Sequence, residues 1–397
     1  MIRAAVIGAS GYTGVETVRW LLGHPGFKLV AASSDTDAGK SLSALYPALL
    51  GHFHENCYGT DGATGTKNGT GLSADSSAIP TPVHDPLVLI RHEEALACQD
   101  IDVAFLAVPH TVALAMVPAL LERDIPVIDL SADFRLKDAK VYEQWYQASH
   151  TASALLDHAV YGLCEINRAA LHEKVAAWRS GSALPPLVAN PGCYPTATAL
   201  ALAPAIAGNL LAPGTPVIVN AISGVSGAGR AATATTHFCN ASDDLVAYGV
   251  ASHRHTPEIA QTLTEIAGHE LMVVFTPHLA PLRRGMIATV VVSLASEIAA
   301  LGADEALALM KGAYADYYAS EPFVTLLPIG TMPHSASVAG TNNVQVGIAY
   351  DARSNSLIAS CAIDNLGKGA ASQAVQNANI IFGFAEVTGL DTQAAIV

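Results

Sequence analysis

The sequence has few charged residues, and basic ones are the scarcest. Charged side chains make up 14% of the 397 residues, with 20 Lys and Arg against 34 Asp and Glu, so the formal net charge is −14. Because nucleic acids and anionic membranes attract clustered positive charge, this balance argues against both as partners. It leaves a small anionic substrate open, since a site for one needs only a few local arginines.

Cysteine is also scarce, and its spacing is irregular. No two cysteines form a Cys-x-x-Cys pair, so the sequence predicts neither a disulfide framework nor a zinc site, and we expect no metal. Scattered thiols of this kind fit a reducing cytoplasm. The cysteines are Cys57, Cys98, Cys164, Cys193, Cys239 and Cys361.

Long hydrophobic runs are absent, although 51% of the residues are hydrophobic. No run approaches the ~20 apolar residues of a membrane span, and the first residues follow a strand pattern rather than that of a signal peptide. We therefore expect a soluble cytoplasmic protein. At ~150 residues per domain, the length allows two or three domains.

A glycine-rich turn lies between the first predicted strand and the first predicted helix. Residues 2–7 predict the strand, residues 15–22 predict the helix, and the turn has the spacing G-x-x-G-x-x-G. Such glycines let the backbone turn tightly and approach a pyrophosphate at the helix N-terminus. The alternative is a tight structural turn without a ligand. The candidate cofactor contacts are Gly8, Ser10, Gly11, Tyr12, Thr13 and Gly14.

The second predicted strand, residues 27–32, ends in small hydroxyl side chains. NAD enzymes place an acid at this strand end for the ribose hydroxyls, whereas this chain has Ser33 and Ser34 there and Lys40 shortly after. Hydroxyls and a lysine suit a 2′-phosphate, so the pattern favours NADP(H). Asp35, next to the serines, keeps NAD open.

Strand–helix alternation continues through the first half of the chain and predicts a doubly wound parallel sheet. Residues 102–108 predict a buried strand whose carboxyl end, followed by Pro109, faces the cofactor cleft. Residues 111–122 predict a helix with Thr111 as its N-cap. Residues 56–86 are rich in Gly, Thr, Ser, Asp and Pro, which predicts a long surface insertion.

One cysteine lies in the run Asn-Pro-Gly-Cys-Tyr-Pro-Thr, residues 190–196. The run follows a predicted strand, residues 184–189, and precedes a predicted helix, residues 197–211. Cys193 should therefore face unpaired N–H groups and the positive end of a helix dipole, which favour a nucleophilic thiolate that reacts faster than the other cysteines. The alternative is a buried, inert cysteine beside a proline-rich turn.

Two later stretches contain residues suited to anion binding and to proton transfer. Residues 223–230, Ser-Gly-Val-Ser-Gly-Ala-Gly-Arg, offer backbone N–H groups, hydroxyls and an arginine, as an anion cradle requires; a flexible hinge is the alternative. The run His253-Arg254-His255 opens a predicted helix with Thr256 as its candidate cap. Histidines grouped at a helix start suit general acid–base chemistry.

The alternation gives way to hairpins in the second half of the chain. Strands that pair as neighbours, separated by long helices, predict a mixed and largely antiparallel sheet. The predicted strands are residues 217–222, 271–275, 286–294, 343–350 and 356–363, and the predicted helices are residues 303–318 and 364 to about 382.

Taken in order, these stretches resemble the N-acetyl-γ-glutamyl-phosphate reductases, relatives of the aspartate-semialdehyde dehydrogenases. The runs at residues 191–196 and 223–230 are the specific ones, because many families share the glycine turn. The matching stretches extend nearly from end to end. The departures, at residues 56–86 and 329–340, look like lengthened surface loops.

The resemblance implies an α/β fold with two domains. Residues 1–190 would form a Rossmann-type, doubly wound NADP-binding domain, with residues 364–397 packing back on it. Residues 191–363 would form an α+β mixed-sheet catalytic and dimerisation domain, as in semialdehyde and glyceraldehyde-3-phosphate dehydrogenases. A homo-oligomer, either dimer or tetramer, is then expected.

The resemblance also implies that NADPH reduces an acyl phosphate to a semialdehyde in arginine biosynthesis. Cys193 would displace phosphate to form a thioester, and His255 would be the general acid and base, with His253 the less favoured candidate. Asn365 would lie near the nicotinamide. The candidates for holding the substrate's phosphate and carboxylate are Ser226, Arg230, Arg254 and Arg284.

Two other functions stay open. A sister enzyme acting on aspartyl phosphate or on a carrier-bound aminoadipyl phosphate would share the cysteine and the glycine turn. The sequence Cys-Tyr-Pro-Thr at residues 193–196 fits the acetylglutamyl branch better than the Cys-Ser/Thr-Thr pattern of the aspartyl one. A dinucleotide sensor without catalysis is the other alternative, and the retained Cys193 argues against it.

Overall fold

The computed structural model of the chain describes residues 1–50, 87–391 and 393–395. Within them, the first half of the chain forms one six-stranded parallel sheet. Its strands are β1 (Ile2–Ile7), β2 (Phe27–Ser33), β3 (Val103–Leu106), β4 (Val127–Asp129), β5 (Val160–Tyr161) and β6 (Leu187–Ala189).

The strand order of this sheet is β2-β1-β3-β4-β6-β5. The chain leaves β1 toward one edge of the sheet to form β2 and then crosses back to place β3 on the other side of β1. Where the order reverses in this way, the connections diverge and open a crevice at the carboxyl ends of the strands. The crevice between β1 and β3 is therefore the expected place for a ligand.

Helices cover both faces of the parallel sheet. Val103 and Phe105 lie in one buried cluster, and Ala104 and Leu106 lie in another, so both faces of β3 are buried. This explains why the strand is apolar throughout instead of alternating. The helices are α1 (Tyr12–Leu22), α2 (Leu42–Leu45), α3 (His92–Ala97), α4 (Ala113–Leu121), α5 (Ala139–Tyr146) and α6 (Cys164–Arg179).

One predicted helix cap in this half is wrong, and one prediction is untested. Helix α4 begins at Ala113 with Val112 as its N-cap, whereas Thr111 has a φ of +75°. The N–H of Thr111 donates to Asp133 Oδ1 at 2.7 Å, so the loop after β3 is held by a carboxylate and not by a threonine cap. The insertion predicted at residues 56–86 lies outside the described residues.

The second half of the chain forms a mixed sheet that has seven strands among the described residues. Two neighbouring pairs are parallel and the other four pairs are antiparallel. In spatial order the strands are β11 (Val324–Leu326), β12 (Val344–Asp351), β13 (Ser356–Ile363), β10 (Met286–Ser293), β7 (Val217–Gly224), β9 (Val273–Ala280) and β8 (Val246–Ala247).

The predicted hairpin and the predicted fold class are confirmed. Strands β12 and β13 pair antiparallel, from Gln345 opposite Ala362 to Asp351 opposite Ser356. A parallel sheet followed by a mixed sheet is the expected α/β arrangement. The helices of this half are α7 (Cys193–Ala207), α8 (Phe238–Ala241), α9 (His255–Ala267), α10 (Ser296–Ala300), α11 (Ala303–Tyr318) and α12 (Ser372–Phe382).

In the described part of the chain, helices cover one face of the mixed sheet and leave the other face open. Along β7, Val217, Val219 and Ala221 are buried, whereas Ile218 and Ile222 are exposed. Helix α7 packs against the covered face and is buried over almost its whole length, as expected for a helix that is apolar all round. No described helix has both the length and the apolar character needed to cross a membrane.

The C-terminal segment returns to the first half of the chain. Val375 and Ile381 of α12 lie in the same buried cluster as Val6 of β1 and Val18 of α1. A π-helical turn, Gly367–Ala371, precedes α12. Such turns interrupt helices where a particular side chain or backbone group must be placed.

A buried ion pair fixes this turn. Lys368 Nζ lies 2.6 Å from Glu165 Oε1 of α6 and 2.7 Å from Gln376 Oε1 of α12, and the Lys368 and Glu165 side chains are fully buried. An unpaired charge in this position would be costly, so neither partner can leave alone. The pair therefore holds the π-turn against α6.

Candidate active site

A cavity of about 950 Å³ lies at the carboxyl ends of β1 and β3 and is lined from both halves of the chain. Most of the residues predicted from the sequence face it. Those that line it are Gly8, Ser10, Gly11, Tyr12, Thr13, Ser34, Pro109, Cys193, Ser226, Arg230, His255 and Asn365. Those that do not are Gly14, Ser33, Lys40, Arg254 and Arg284.

The glycine turn forms the floor of one end of the cavity. Gly8 has a φ of +90°, and a Cβ there would lie 2.3 Å from Ala107 O, so no larger residue fits. A Cβ at Gly14 would lie 2.1 Å from Gly8 O, which shows how closely α1 packs on the turn. Helix α1 begins at Tyr12, and its N-cap Gly11 makes no side-chain cap, so the first N–H groups of α1 remain free for a pyrophosphate.

Hydroxyl groups line the cavity beyond the end of β2. Ser34 Oγ lies 2.7 Å from Ser10 Oγ and 3.2 Å from Thr36 Oγ1. Ser33 is instead buried, and its Oγ lies 2.8 Å from His92 Nδ1. His92, which the sequence analysis did not single out, itself lines the cavity.

Lys40 and Asp35 lie at the edge of this region. Lys40 Nζ donates to Asp37 Oδ1 at 2.8 Å and does not reach the cavity wall. Asp35 lines the cavity, is exposed, and accepts the N–H of His92 at 2.9 Å.

Cys193 is the first residue of α7, four residues before the predicted helix start. Gly192 is the N-cap, and Pro195 falls within the first turn, where a missing N–H costs no helical hydrogen bond. From the opposite side, Gly369 of the π-turn closes on the cysteine: a Cβ at Gly369 would lie 2.7 Å from Cys193 Cβ. Glycine at position 369 therefore lets the π-turn approach the thiol.

The thiolate expected at Cys193 is not supported for the free protein. Burial raises the pKa of the Cys193 thiol to about 11, and the nearby Glu258 carboxylate acts in the same direction. The backbone N–H groups at the start of α7 and the Arg135 guanidinium lower the pKa, as anticipated, but by less. The effect of desolvation on the pKa outweighs that of the helix terminus because Cys193, the first residue of α7, is packed against the π-turn.

His255 lies directly against the cysteine turn. A Cβ at Gly192 would lie 2.5 Å from His255 Nε2, so the imidazole packs on the residue before Cys193. Burial, followed by the neighbouring His253 and Arg135, lowers the pKa of His255 well below its usual range, so the ring is neutral. Its Nδ1 is buried without a hydrogen-bond partner among the described residues. A neutral imidazole is the form that accepts a proton.

His253 has a different environment. Its ring contacts those of Tyr194, Tyr248 and Phe275 at centroid distances of 5.4–5.5 Å, and it does not line the cavity. Burial lowers the pKa of His253 to about 4. Its Nδ1 accepts the N–H of His255 at 3.1 Å, so it supports the start of α9.

The predicted cap of α9 is wrong. The helix begins at His255 with Arg254 as its N-cap, and the Arg254 side chain makes no cap hydrogen bond, so Thr256 lies inside the first turn. The imidazole of His253 accepts the N–H of His255, which is the first N–H of the helix.

A buried carboxylate beneath the cysteine was missed in the sequence. Glu258 Oε1 accepts the N–H of Gly192 at 2.8 Å and the hydroxyl of Tyr161 at 2.9 Å. Glu258 Oε2 lies 3.4 Å from Arg135 Nη1. The available signal was the position of Glu258, three residues after His255 and therefore on the same helix face.

Arg135 was also missed. Its guanidinium is buried, lines the cavity, and donates to the carbonyls of Asn190 and Leu130 at 2.8 Å each. The sequence signal was a basic residue in the loop after β4, in the run Ser-Ala-Asp-Phe-Arg at residues 131–135. A Cβ at Gly192 would lie 2.9 Å from Arg135 Nη1, so the guanidinium packs on the cysteine turn, and its positive charge lowers the pKa of Cys193.

The candidate substrate arginines differ in their partners. Arg284 pairs with Glu16 at 2.9 Å and with Asp364 at 2.7 Å. Arg230 pairs with Asp37 at 2.8 Å. Arg254 stacks over the Tyr146 ring at 5.6 Å and has no ion pair with a carboxylate in the described part of the chain.

Ser226 and Asn365 join the loop after β7 to the start of the C-terminal segment. Asn365 Nδ2 donates to Ser226 Oγ at 3.0 Å, and Asn365 Oδ1 accepts the N–H of Gly285 at 2.7 Å. Both residues line the cavity, as predicted. Among residues 1–50, 87–391 and 393–395, no group of His, Cys, Asp and Glu is arranged to hold a metal ion.

The pKa of Cys193 predicts how its thiol reacts in the free protein. At neutral pH, iodoacetamide should alkylate the exposed Cys239 faster than Cys193, and the Cys193 rate should climb as the pH approaches about 11. Peptide mass mapping over a pH series measures both rates, with Cys193→Ser as the blank. A Cys193 rate that is already on its plateau at neutral pH would contradict this.

The comparisons with known proteins agree with this arrangement. The family profile "Semialdehyde dehydrogenase, NAD binding domain" matches residues 3–174, and "Semialdehyde dehydrogenase, dimerisation domain" matches residues 193–365. The boundary between the two matches falls at the start of α7, where the parallel sheet gives way to the mixed sheet.

Solved structures support the fold. An aspartate semialdehyde dehydrogenase II from Vibrio cholerae, complexed with ASA, has a TM-score of 0.63 at 17% identity and covers 96% of this chain and 98% of its own. An aspartate semialdehyde dehydrogenase with NADP from Candida albicans has a TM-score of 0.60 at 14% identity, covering 96% and 98%.

Curated relatives give the more specific result. A protein from Pelotomaculum thermopropionicum named N-acetyl-gamma-glutamyl-phosphate reductase is 42% identical over 98% of this chain and 97% of its own length. Proteins of the same name from Moorella thermoacetica and Neisseria gonorrhoeae are each 41% identical over 98% of this chain and over 98% and 97% of their own lengths. The resemblance noted from the sequence is confirmed: the chain belongs to the semialdehyde dehydrogenase family, in the branch of the N-acetyl-γ-glutamyl-phosphate reductases.

Proposed function

We propose that this protein reduces N-acetyl-L-glutamyl 5-phosphate with NADPH to N-acetyl-L-glutamate 5-semialdehyde and phosphate, in the arginine biosynthesis of the cytoplasm. The observation that carries the proposal is Cys193 at a helix start, sharing one cavity with His255 and a glycine turn. Full-length relatives that carry the name of this reductase support it.

A cysteine suits this reaction because a carboxylate does not accept hydride, whereas a thioester does. The Cys193 thiol gives its proton to the neutral His255, and its sulfur attacks the acyl carbon. The S–C bond forms, the bond from carbon to the phosphate oxygen breaks, and phosphate leaves with its electron pair. The negative charge of the arriving acyl phosphate favours the His255 imidazolium, and the Arg135 guanidinium favours the thiolate, so both charged forms have a partner when substrate is bound.

NADPH, when bound, would supply the hydride that reduces the thioester carbon. The His255 imidazolium then faces the oxyanion that develops on this carbon and stabilises it. When the S–C bond breaks, the aldehyde is released and the Cys193 sulfur takes back a proton through His255. Arg135, held behind the turn, offsets the negative charge on the sulfur.

Different residues of the cavity would hold different parts of the cofactor. The free N–H groups at the start of α1 would hold the pyrophosphate, with Gly8, Gly11 and Gly14 allowing its close approach. Pro109 and Asn365 would flank the nicotinamide beside Cys193. Ser34 and Lys40 would favour a 2′-phosphate, and Ser33 would act indirectly, through His92.

The substrate would be held by the remaining polar groups. Arg254 lacks an acidic partner among the described residues, which makes it the best candidate for the α-carboxylate. Ser226 would donate to the leaving phosphate. Arg284 already pairs with Glu16 and Asp364, so it would position Asn365 through the neighbouring Asp364 and contact the substrate only if those pairs opened.

We assign residues 1–190, with the segment from residue 364 onward, to a cofactor-binding domain and residues 191–363 to a catalytic domain. The packing of Val375 with Val6 supports the return of the C-terminal segment. The two profile matches, at residues 3–174 and 193–365, divide the chain at nearly the same point.

A second copy of the chain would cover the open face of the mixed sheet. Ile218, Ile222 and Val274 on this face are 41%, 39% and 52% exposed, and the profile that matches this region is described as a dimerisation domain. Ile222→Glu should convert a dimer or tetramer to a smaller species in light scattering. Leu309→Glu, at an exposed position of α11 away from this face, should not. A monomeric wild type would contradict the proposal.

The reverse reaction separates this activity from that of its sister enzymes. With N-acetylglutamate semialdehyde and NADP⁺, absorbance should show NADPH formation that depends on added phosphate. Aspartate semialdehyde should react far more slowly, because it lacks the acetamide and a methylene. Cys193→Ser should bind NADPH and form no product. Faster turnover of aspartate semialdehyde would assign the chain to the sister activity, and NADPH binding without either reaction would indicate a sensor.

The histidine roles predict unequal effects of matched variants. His255→Asn should keep the affinity for NADPH and lower turnover by roughly 10²–10⁴-fold, because the proton acceptor beside the thiol is lost. His253→Asn should have a much smaller effect, since its ring lies outside the cavity. Stopped-flow turnover and fluorescence titration of NADPH measure the two quantities. If His253→Asn is the more damaging change, the roles must be exchanged.

A further inference from the structure

Arg230 belongs to the catalytic half of the chain, but its contacts lie on the cofactor-binding half. Its Nη1 lies 2.8 Å from Asp37 Oδ2 and 3.3 Å from the carbonyl of Ser10, and its guanidinium lies 5.8 Å from the centre of the Tyr46 ring. Tyr46 in turn donates its hydroxyl to the same Ser10 carbonyl at 2.7 Å. The end of the loop at residues 223–230 is thus docked beside the glycine turn.

Asp37 carries the negative charge that pairs with Arg230 at this docking point. Asp37 accepts from Lys40 at 2.8 Å as well as from Arg230, so one carboxylate serves two cations. These two partners, Lys40 first, hold the pKa of Asp37 well below its usual range. The exposed Asp35 is the other acid at this end of the cavity, and it accepts from the His92 backbone.

The same place is where a 2′-phosphate would lie. In doubly wound sheets, the side chains that follow the second strand read the 2′ position of the adenosine ribose. Here Ser34 and Thr36 follow β2 and line the cavity, with Ser10 in contact with Ser34 and Arg230 in the wall beside them. Three hydroxyls and an arginine form a donor set that fits a phosphate dianion.

We propose that Arg230 recognises the 2′-phosphate of NADP(H) and is released to it from Asp37. In the free protein, Asp37 occupies the guanidinium; in the complex, the phosphate takes its place and Asp37 keeps Lys40. Asp37 therefore competes with the 2′-phosphate for the Arg230 guanidinium. Because Arg230 ends the loop that carries Ser226, this loop would contact NADP(H) but not NAD(H) through the arginine. This inference rests on the NADP(H) use proposed above, and it moves Arg230 from the substrate to the cofactor.

Two nucleotides that differ only in the 2′-phosphate test this assignment. Calorimetry measures the binding of adenosine 2′,5′-diphosphate and of adenosine 5′-monophosphate to the wild type and variants. Arg230→Gln should weaken the diphosphate by roughly 10–100-fold and leave the monophosphate unchanged. Asp37→Asn should tighten the diphosphate, again without affecting the monophosphate. A purely structural role would not give opposite signs.

Arg353→Gln is the matched control, since this exposed arginine also pairs with an aspartate, Asp351, but does not line the cavity and should not alter the binding of either nucleotide. The inference would be overturned, and the proposed NADP(H) use would stand, if Arg230→Gln left the affinity for adenosine 2′,5′-diphosphate unchanged. The same holds if Asp37→Asn weakened that affinity without changing the melting temperature. A wild type that binds NADPH no better than NADH would overturn both the inference and the cofactor assignment on which it rests.

Discussion

The carboxylate of Glu258 fixes the turn that carries Cys193, and the rest of the site depends on it. It accepts from the Gly192 N–H and the Tyr161 hydroxyl and lies 3.4 Å from the Arg135 guanidinium. These partners come from the start of α7, from β5 and from the loop after β4, so one buried group joins both sheets. Because an unpaired buried charge costs several kcal/mol, this arrangement resists distortion.

The position of Glu258 on α9 has a consequence for the chemistry. His255 lies one turn earlier on the same helix, so fixing Glu258 under the cysteine turn also places the His255 imidazole against Gly192. Burial leaves both the thiol and the imidazole uncharged in the free protein. In the mechanism proposed above, the Cys193 proton therefore moves to His255 after the substrate has bound.

The sequence allowed us to predict the site residues that lie in a recognisable motif at a strand end or a helix start. The glycine turn, Cys193, Ser226 and Asn365 all lie at strand ends or helix starts, and all line the cavity. Glu258 and Arg135 could not be recognised in this way, because their importance comes from contacts across the two sheets. The same holds for the pKa of Cys193, which depends on how closely the π-turn packs and not on the helix start alone. The predicted caps at Thr111 and Thr256 failed because contacts from elsewhere in the fold set both helix starts: the Thr111 N–H donates to Asp133, and the His255 N–H, the first of α9, donates to His253.

Cys193 should carry a covalent intermediate, and the most direct test is to run the reverse reaction without phosphate, so that the intermediate accumulates. The protein is mixed with N-acetylglutamate semialdehyde and NADP⁺, and both the NADPH formed and the mass of the Cys193 peptide are measured. We expect one NADPH per subunit, an N-acetylglutamyl group on Cys193, and loss of that group when phosphate is added. NADPH formation without modification of Cys193, or modification of another cysteine, would contradict it.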